Sequence, residues 1–296
     1  MGKKQSRSRA AGAQRLSMEP EPEPAAAETG PSRLDDGAPE SFTFHHLPDV
    51  AGVAATDEGV KELFAKWGFG GAQGMLQRHT FRYDQYYKAY MSDQLIKDFL
   101  NSEAVQGVFQ VPVKGKEPAP LGTVSSFRCR EVPCTVTSLS LFDRLGECGA
   151  VRDTGSIQKC FDNYIDDLQI GDKLLELLVD EESENFTVYD DSEREEFLFR
   201  IFRHLCIGGG MCQFEDTVGP YLDTTKKLYK DFLAVRKNDE TGKAEVVSEA
   251  FELRAVKGGG PALFPSRSPY SFCYLVLNPV KRHVVLWYLP WRTMFG

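Results

Sequence analysis

His204, Cys206 and Cys212, followed by Glu215 and Asp216, are the side-chain types that hold zinc, and a triple glycine at 208–210 can fold them together. The spacing argues against it. His204 and Cys206 are two apart on a helix, so their side chains diverge by about 200° at 3.6 residues per turn. No C-x-x-C pair occurs anywhere in the chain. Both residues are expected to be core packing, with no metal and no cofactor. A thiol nucleophile fares little better. Cys206 ends an apolar helix, where burial raises a thiol pKa, and spacing sets no His or Asp partner for Cys212. Two glycine clusters look like phosphate cradles but lack the context. G-F-G-G-A-Q-G at 68–74 follows a helix and lacks a Lys-Ser/Thr ending, and I-G-G-G at 207–210 sits at a helix C-terminus, which repels anions. No catalytic residue is assigned.

Binding is the more productive class. Arg152-Asp153-Thr154-Gly155 is a polar cluster between apolar segments, and Glu215-Asp216 is a second. Arg152, Asp153, Glu215 and Asp216 are therefore the partner-binding candidates. The plainer reading of 152–155 is a turn in which Asp153 or Ser156 caps a helix carrying Ile157, Cys160, Phe161 and Tyr164. Tyr83, Tyr86, Tyr87 and Tyr90 would share one face of a helix, more as core than as interface. At the N-terminus, Met1-Gly2-Lys3-Lys4-Gln5-Ser6 fits the pattern for N-myristoylation, so Gly2 is a lipidation candidate with weak membrane contact through the tail. An unmodified tail is the alternative.

The chain has 296 residues, 42% hydrophobic and 26% charged, with a formal net charge of −8. That balance argues against nucleic acid, which needs concentrated Lys and Arg. No apolar run approaches the roughly 18 residues that cross a bilayer, so no transmembrane segment is expected. Seven cysteines, an odd number without a signal peptide ahead of them, suit a reducing, cytoplasmic setting.

Residues 1–40 read as a disordered tail: the first 17 are basic, and 18–40 hold seven acids against one Arg. Residues 41–296 read as one globular α+β domain. Phe42 and Phe44 mark a strand. Asp57–Trp67 and Ser92–Val108 read as helices, 112–120 as a loop, and Val124–Ser140 as β-rich, with Pro133 placing part of it at an edge. Glu193–Cys206 reads as a central helix, apolar over most of its circumference, with a capping box from Ser192 and Glu195 and a stop at Gly208. A second helix starts at Pro220 and buries Tyr221, Thr225, Leu228 and Phe232. Strands then flank the polar loop 238–242, and Phe272–Leu277 and His283–Leu289 are apolar enough to lie inside a sheet. The fold is thus helices packed on a mainly antiparallel sheet formed largely by the C-terminal third.

Four segments stand out together: E-V-P-C-T (131–135), V-R-D-T-G-S-I-Q-K-C (151–160), R-E-E-F-L-F-R-I-F-R-H-L-C-I-G-G-G-M-C-Q-F-E-D (194–216) and P-Y-L-D-T-T-K-K-L-Y-K-D-F-L-A-V-R-K-N (220–238). Through them, and over residues 42–290, the chain resembles the cilia- and flagella-associated protein 300 family. The resemblance implies a cytoplasmic protein that also enters the cilium and helps assemble outer and inner axonemal dynein arms. It implies dynein assembly factors or axonemal dynein subunits as partners, and brings no catalytic residue or cofactor. Two other classes compete with it: a stably bound structural protein of the axoneme, and a small-molecule-binding enzyme with an unrecognised site.

Overall fold

The computed structural model describes residues 41–70, 75–237 and 244–292. The tail 1–40, with Gly2, lies outside the described residues, as does the whole of the polar loop 238–242. The first half of the chain holds β1 (Phe44–His46), β2 (Gln77–Tyr83), the hairpin β3 (Val111–Val113) and β4 (Lys116–Ala119), and β5 (Val124–Val132). A second hairpin, β6 (Lys159–Ile165) and β7 (Leu168–Asp172), precedes the main helices. The rest are β8 (Val235–Lys237), β9 (Ala244–Val246), β10 (Glu249–Gly258), β11 (Phe272–Asn278) and β12 (His283–Leu289). The helices are α1 (Val53–Thr56), α2 (Glu58–Lys66), α3 (Ser92–Asn101), α4 (Glu103–Gln106) and α5 (Arg144–Glu147), then α6 (Lys173–Val179), α7 (Asp191–Glu195), α8 (Phe197–Ile207) and α9 (Gly219–Phe232).

An antiparallel sheet of six strands, in the order β1-β2-β12-β11-β10-β5, organises all of this. The α+β class stands. The C-terminal third supplies β10, β11 and β12, while β1, β2 and β5 come from the first half of the chain. β11 and β12 are buried at almost every position because both sheet faces are covered. Phe272, Tyr274, Val276, Val285 and Trp287 join a core with α2, α6, α8 and α9. Cys273, Leu275, Leu277, Val284 and Leu286 face the other way, onto α3 and Phe109. The sheet is sandwiched between two helical layers, not laid on one.

Several local readings change. The helix expected over Ser92–Val108 breaks at Ser102, whose extended backbone separates α3 from α4. The loop at 112–120 closes as the β3–β4 hairpin. β5 stops one residue before Pro133 and lies at the sheet edge, where a missing amide donor is harmless. The capping box is set by Asp190 and Glu193, two residues before the expected pair. The helix itself breaks at Glu196, whose carboxylate turns inward to accept from the amides of Thr135 and Val136 at 3.0 and 3.2 Å. Pro lies in the first turn of α9, and Tyr221, Thr225, Leu228 and Phe232 are buried as expected.

The tyrosine cluster is not a helical stripe. Tyr83 ends β2, Tyr87 is buried, and Tyr86 and Tyr90 are exposed in the connection that follows. Residues 159–165 form β6 in place of the expected helix, because Asp166 and Asp167 both take positive φ and reverse the chain as a two-residue hairpin turn.

Candidate functional site

The 152–155 segment folds as a tight turn. The Gly155 amide donates to the Arg152 carbonyl at 2.7 Å, and the Arg152 amide donates to the Ser156 carbonyl at 2.9 Å. Gly155 sits at φ 82°, a conformation that costs glycine little and other residues more. The turn docks on the second candidate segment. The Ile157 amide donates to the Asp216 carbonyl at 2.9 Å, and the Val218 amide donates to the Gly155 carbonyl at 3.0 Å.

This pairing brings Arg152 and Asp153 to the same edge as Asp216, whose side chain is exposed and lies 3.3 Å from the Lys159 ammonium. Glu215 points the other way. Its carboxylate accepts from the Trp67 indole at 2.9 Å and from the Lys66 ammonium at 2.8 Å, and only 11% of the side chain is exposed. The Trp67 ring stacks on Tyr221 at 4.8 Å. Three of the four candidates therefore share an open surface, and Glu215 clamps the wall beneath it.

From Lys159 the chain runs straight into the β6–β7 hairpin. There Phe161 is 98% exposed and Tyr164 67%, flanked by exposed Asp162, Asp166 and Asp167. These aromatics escaped the sequence reading because Ile157, Cys160, Phe161 and Tyr164 are spaced like a helix face. The signal that finds them is Ile165-Asp166-Asp167-Leu168, two turn-forming acids between apolar residues.

The cluster near 204–212 is packing. His204 is buried; its Nε2 lies 2.9 Å from the Tyr274 hydroxyl and its ring 4.1 Å from Phe272. Burial, with Arg203 and Arg200 nearby, holds the imidazole well below its usual pKa. Burial pushes the Cys206 thiol well above its normal value and that of Cys212 up to about 12, so both stay protonated and weakly nucleophilic. Among the described residues, no group of three His, Cys, Asp or Glu side chains is placed to hold a metal ion. The glycine clusters pack on each other. The Gly209 amide donates to the Trp67 carbonyl at 2.8 Å, and a Cβ on Gly209 would come within 2.2 Å of the Gly68 carbonyl oxygen.

A family profile described as cilia- and flagella-associated protein 300 matches residues 41–289. The chain belongs to that family. A Chlamydomonas reinhardtii relative of the same description is 37% identical over 247 residues, covering 82% of this chain and 94% of its own. A Paramecium tetraurelia relative, also so described, is 32% identical over 228 residues, covering 77% and 86%. No solved structure matches the chain. The residues that match the cilia- and flagella-associated protein 300 family include the docked turn, the aromatic hairpin and the Glu215 clamp, and leave out Gly2. Among the described residues, no helix is long and apolar enough to cross a membrane.

Proposed function

We propose that this protein is a non-catalytic cytoplasmic factor for assembly of outer and inner axonemal dynein arms, and so serves ciliary and flagellar motility. Family membership supports the link to cilia and flagella. The observation that carries a binding role is Phe161, 98% exposed on the hairpin that also exposes Tyr164. Exposed aromatics gain free energy when a partner covers them, and they supply rigid contact area at small entropic cost. Asp162, Asp166 and Asp167 favour a partner whose surface is basic around an apolar centre. Arg152, Asp153 and Asp216 extend the same surface, with Glu215 as its support.

The partner is a dynein arm assembly factor or an axonemal dynein subunit. Deleting the gene should leave axonemes built but short of dynein arms by electron tomography; a full complement of arms would sink the proposal. Fractionation tests the compartment. A soluble pool fits an assembly factor, whereas retention on salt-washed axonemes with no soluble pool would make the protein a stable axonemal component. A weak membrane contact is proposed for Gly2 with the basic residues Lys3, Lys4, Arg7 and Arg9. Intact mass of the native protein checks it, and no added acyl mass removes it.

A further inference from the structure

The six-stranded sheet ends on β5, which pairs with β10 on one side only. In an antiparallel pair every second residue turns its N–H and C=O away from the neighbour. An edge strand therefore carries a row of open donors and acceptors. Both ends of this row are closed by the chain itself. The Asn101 side chain accepts from the Val124 amide at 2.9 Å and donates to the Val124 carbonyl at 3.0 Å. Those are the two bonds that a neighbouring strand would make. At the other end the Pro133 carbonyl accepts from the Phe197 amide at 2.8 Å. Among the described residues, no element other than β10 hydrogen-bonds to the backbone of residues 125–131.

The open stretch has a wall and a charge. A groove of about 660 Å3 is lined by residues 126–130, by Asp93, Gln94 and Lys97 of α3, and by Arg254. Phe127 and Cys129 lie half-buried against the core that holds α3. Arg130 points to the opposite face, where its guanidinium meets Glu195 of α7 at 2.6 Å. Strand alternation puts Arg128 on that face too. Asp93 is the one acid against four cations in the lining. Arg130 and Arg254 are balanced by Glu195 and Glu252 at 2.6–3.1 Å. Arg128 and Lys97 are exposed, and neither has a carboxylate partner among the described residues.

We propose that this groove takes an extended segment of a partner protein as an added strand, with acidic and apolar residues in alternation. The backbone of the segment meets the open donors and acceptors of β5, and α3 walls the groove. Side chains of an added strand alternate between the faces in step with β5. Acidic residues then stand beside Arg128 and Arg130, and the apolar ones between them cover Phe127 and Cys129. A second copy of this chain fits badly. Pairing β5 with its own copy about a two-fold axis sets Arg128 and Arg130 against the same pair on one face. The groove shares no lining residue with the surface around Phe161, so a variant in one leaves the other intact.

The test is fluorescence anisotropy of a labelled Glu-Val-Glu-Val-Glu-Val-Glu peptide titrated with the full chain. Saturable binding below about 1 mM is expected, tighter at low salt, and the Lys-Val counterpart should not bind. Two N-methylated versions, one methylated on every Glu and one on every Val, separate strand addition from charge attraction. One should lose binding and the other keep it, because only alternate amides of an added strand face β5. Hydrogen exchange over residues 126–130 should slow with peptide bound. Arg128→Glu should weaken binding about ten-fold or more at unchanged Tm, and Lys97→Glu about three-fold. Phe161→Ser with Tyr164→Ser should bind the peptide as wild type does. Parent-like binding by both methylated peptides would overturn the proposal, as would equal binding of the Lys-Val peptide or no saturation by about 1 mM. Should Arg128→Glu fail to fold, Lys97→Glu decides, and unaltered binding counts against the groove. A dimer of the chain alone that slows exchange over 126–130 would assign the edge to a second copy instead.

Discussion

The Trp67 indole donates to the Glu215 carboxylate at 2.9 Å, joining residues 148 apart in sequence and closing the wall under the docked turn. Trp67 is fully buried, so loss of its acceptor strands a donor where water cannot replace it. Glu215→Ala is expected to destabilise by about 1–3 kcal/mol. Glu215→Gln keeps an acceptor and should lose less. Urea unfolding of the two variants measures the difference; equal losses would mean that the Trp67 bond contributes nothing.

Phe161 and Tyr164 should behave oppositely. Both are exposed, so Phe161→Ser with Tyr164→Ser should change stability by less than about 0.5 kcal/mol per site. Capture of partners from ciliating cells, read by quantitative mass spectrometry, should fall sharply. Unchanged capture with an unchanged melting curve would remove the hairpin from the binding surface.

Stability should fall on mild acidification through His204. Its folded pKa is depressed, chiefly by burial, so the unfolded chain takes up the proton first, near its ordinary value of about 6.5. This contribution is complete above that value. It is lost as pH falls toward the folded pKa, by at most about 1.4 kcal/mol per pH unit. His79 and His283 are depressed by burial in the same direction, so the variant His204→Gln isolates one residue. Unfolding midpoints at about pH 7.5 and about pH 5.5 should differ less in the variant than in wild type. An equal difference would assign the sensitivity elsewhere.

The α8 core should be intolerant of truncation. Phe197 and Phe202 are fully buried and pack on aromatic rings, Phe202 4.3 Å from Phe142 and Phe197 5.4 Å from Tyr274. Either residue replaced by alanine should cost about 3–5 kcal/mol, a large part of a typical domain's stability. Gly209→Ala should also destabilise, because its Cβ would strike the Gly68 carbonyl. Thermal melting ranks all three, and wild-type Tm for any of them would contradict the packing described.

Much of the fold was legible locally. The continuous apolar runs of β11 and β12, the apolar circumference of α8, Pro220 at the start of α9 and the edge signal of Pro133 each report an environment through side-chain type alone. The candidate surface was legible in part. Arg152, Asp153 and Asp216 are ordinary polar turn residues in sequence, and they come together through the Ile157–Asp216 and Val218–Gly155 backbone bonds. Phe161 was hidden because a spacing of three and four fits a helix as readily as an irregular exposed strand.

Composition, turn chemistry and hydrophobic period determined the element types, the α+β class and the apolar segments that had to be buried. They act through contacts within a few residues, and the sequence displays those directly. Tertiary structure alone decided that β1 and β2 join the sheet beside β12, that helices cover both faces, and that Glu215 turns inward to Trp67 while Asp216 stays in solvent. Those choices depend on long-range pairing and desolvation. A carboxylate's role is set by the donor that reaches it, here an indole 148 residues away, and no local pattern carries that information.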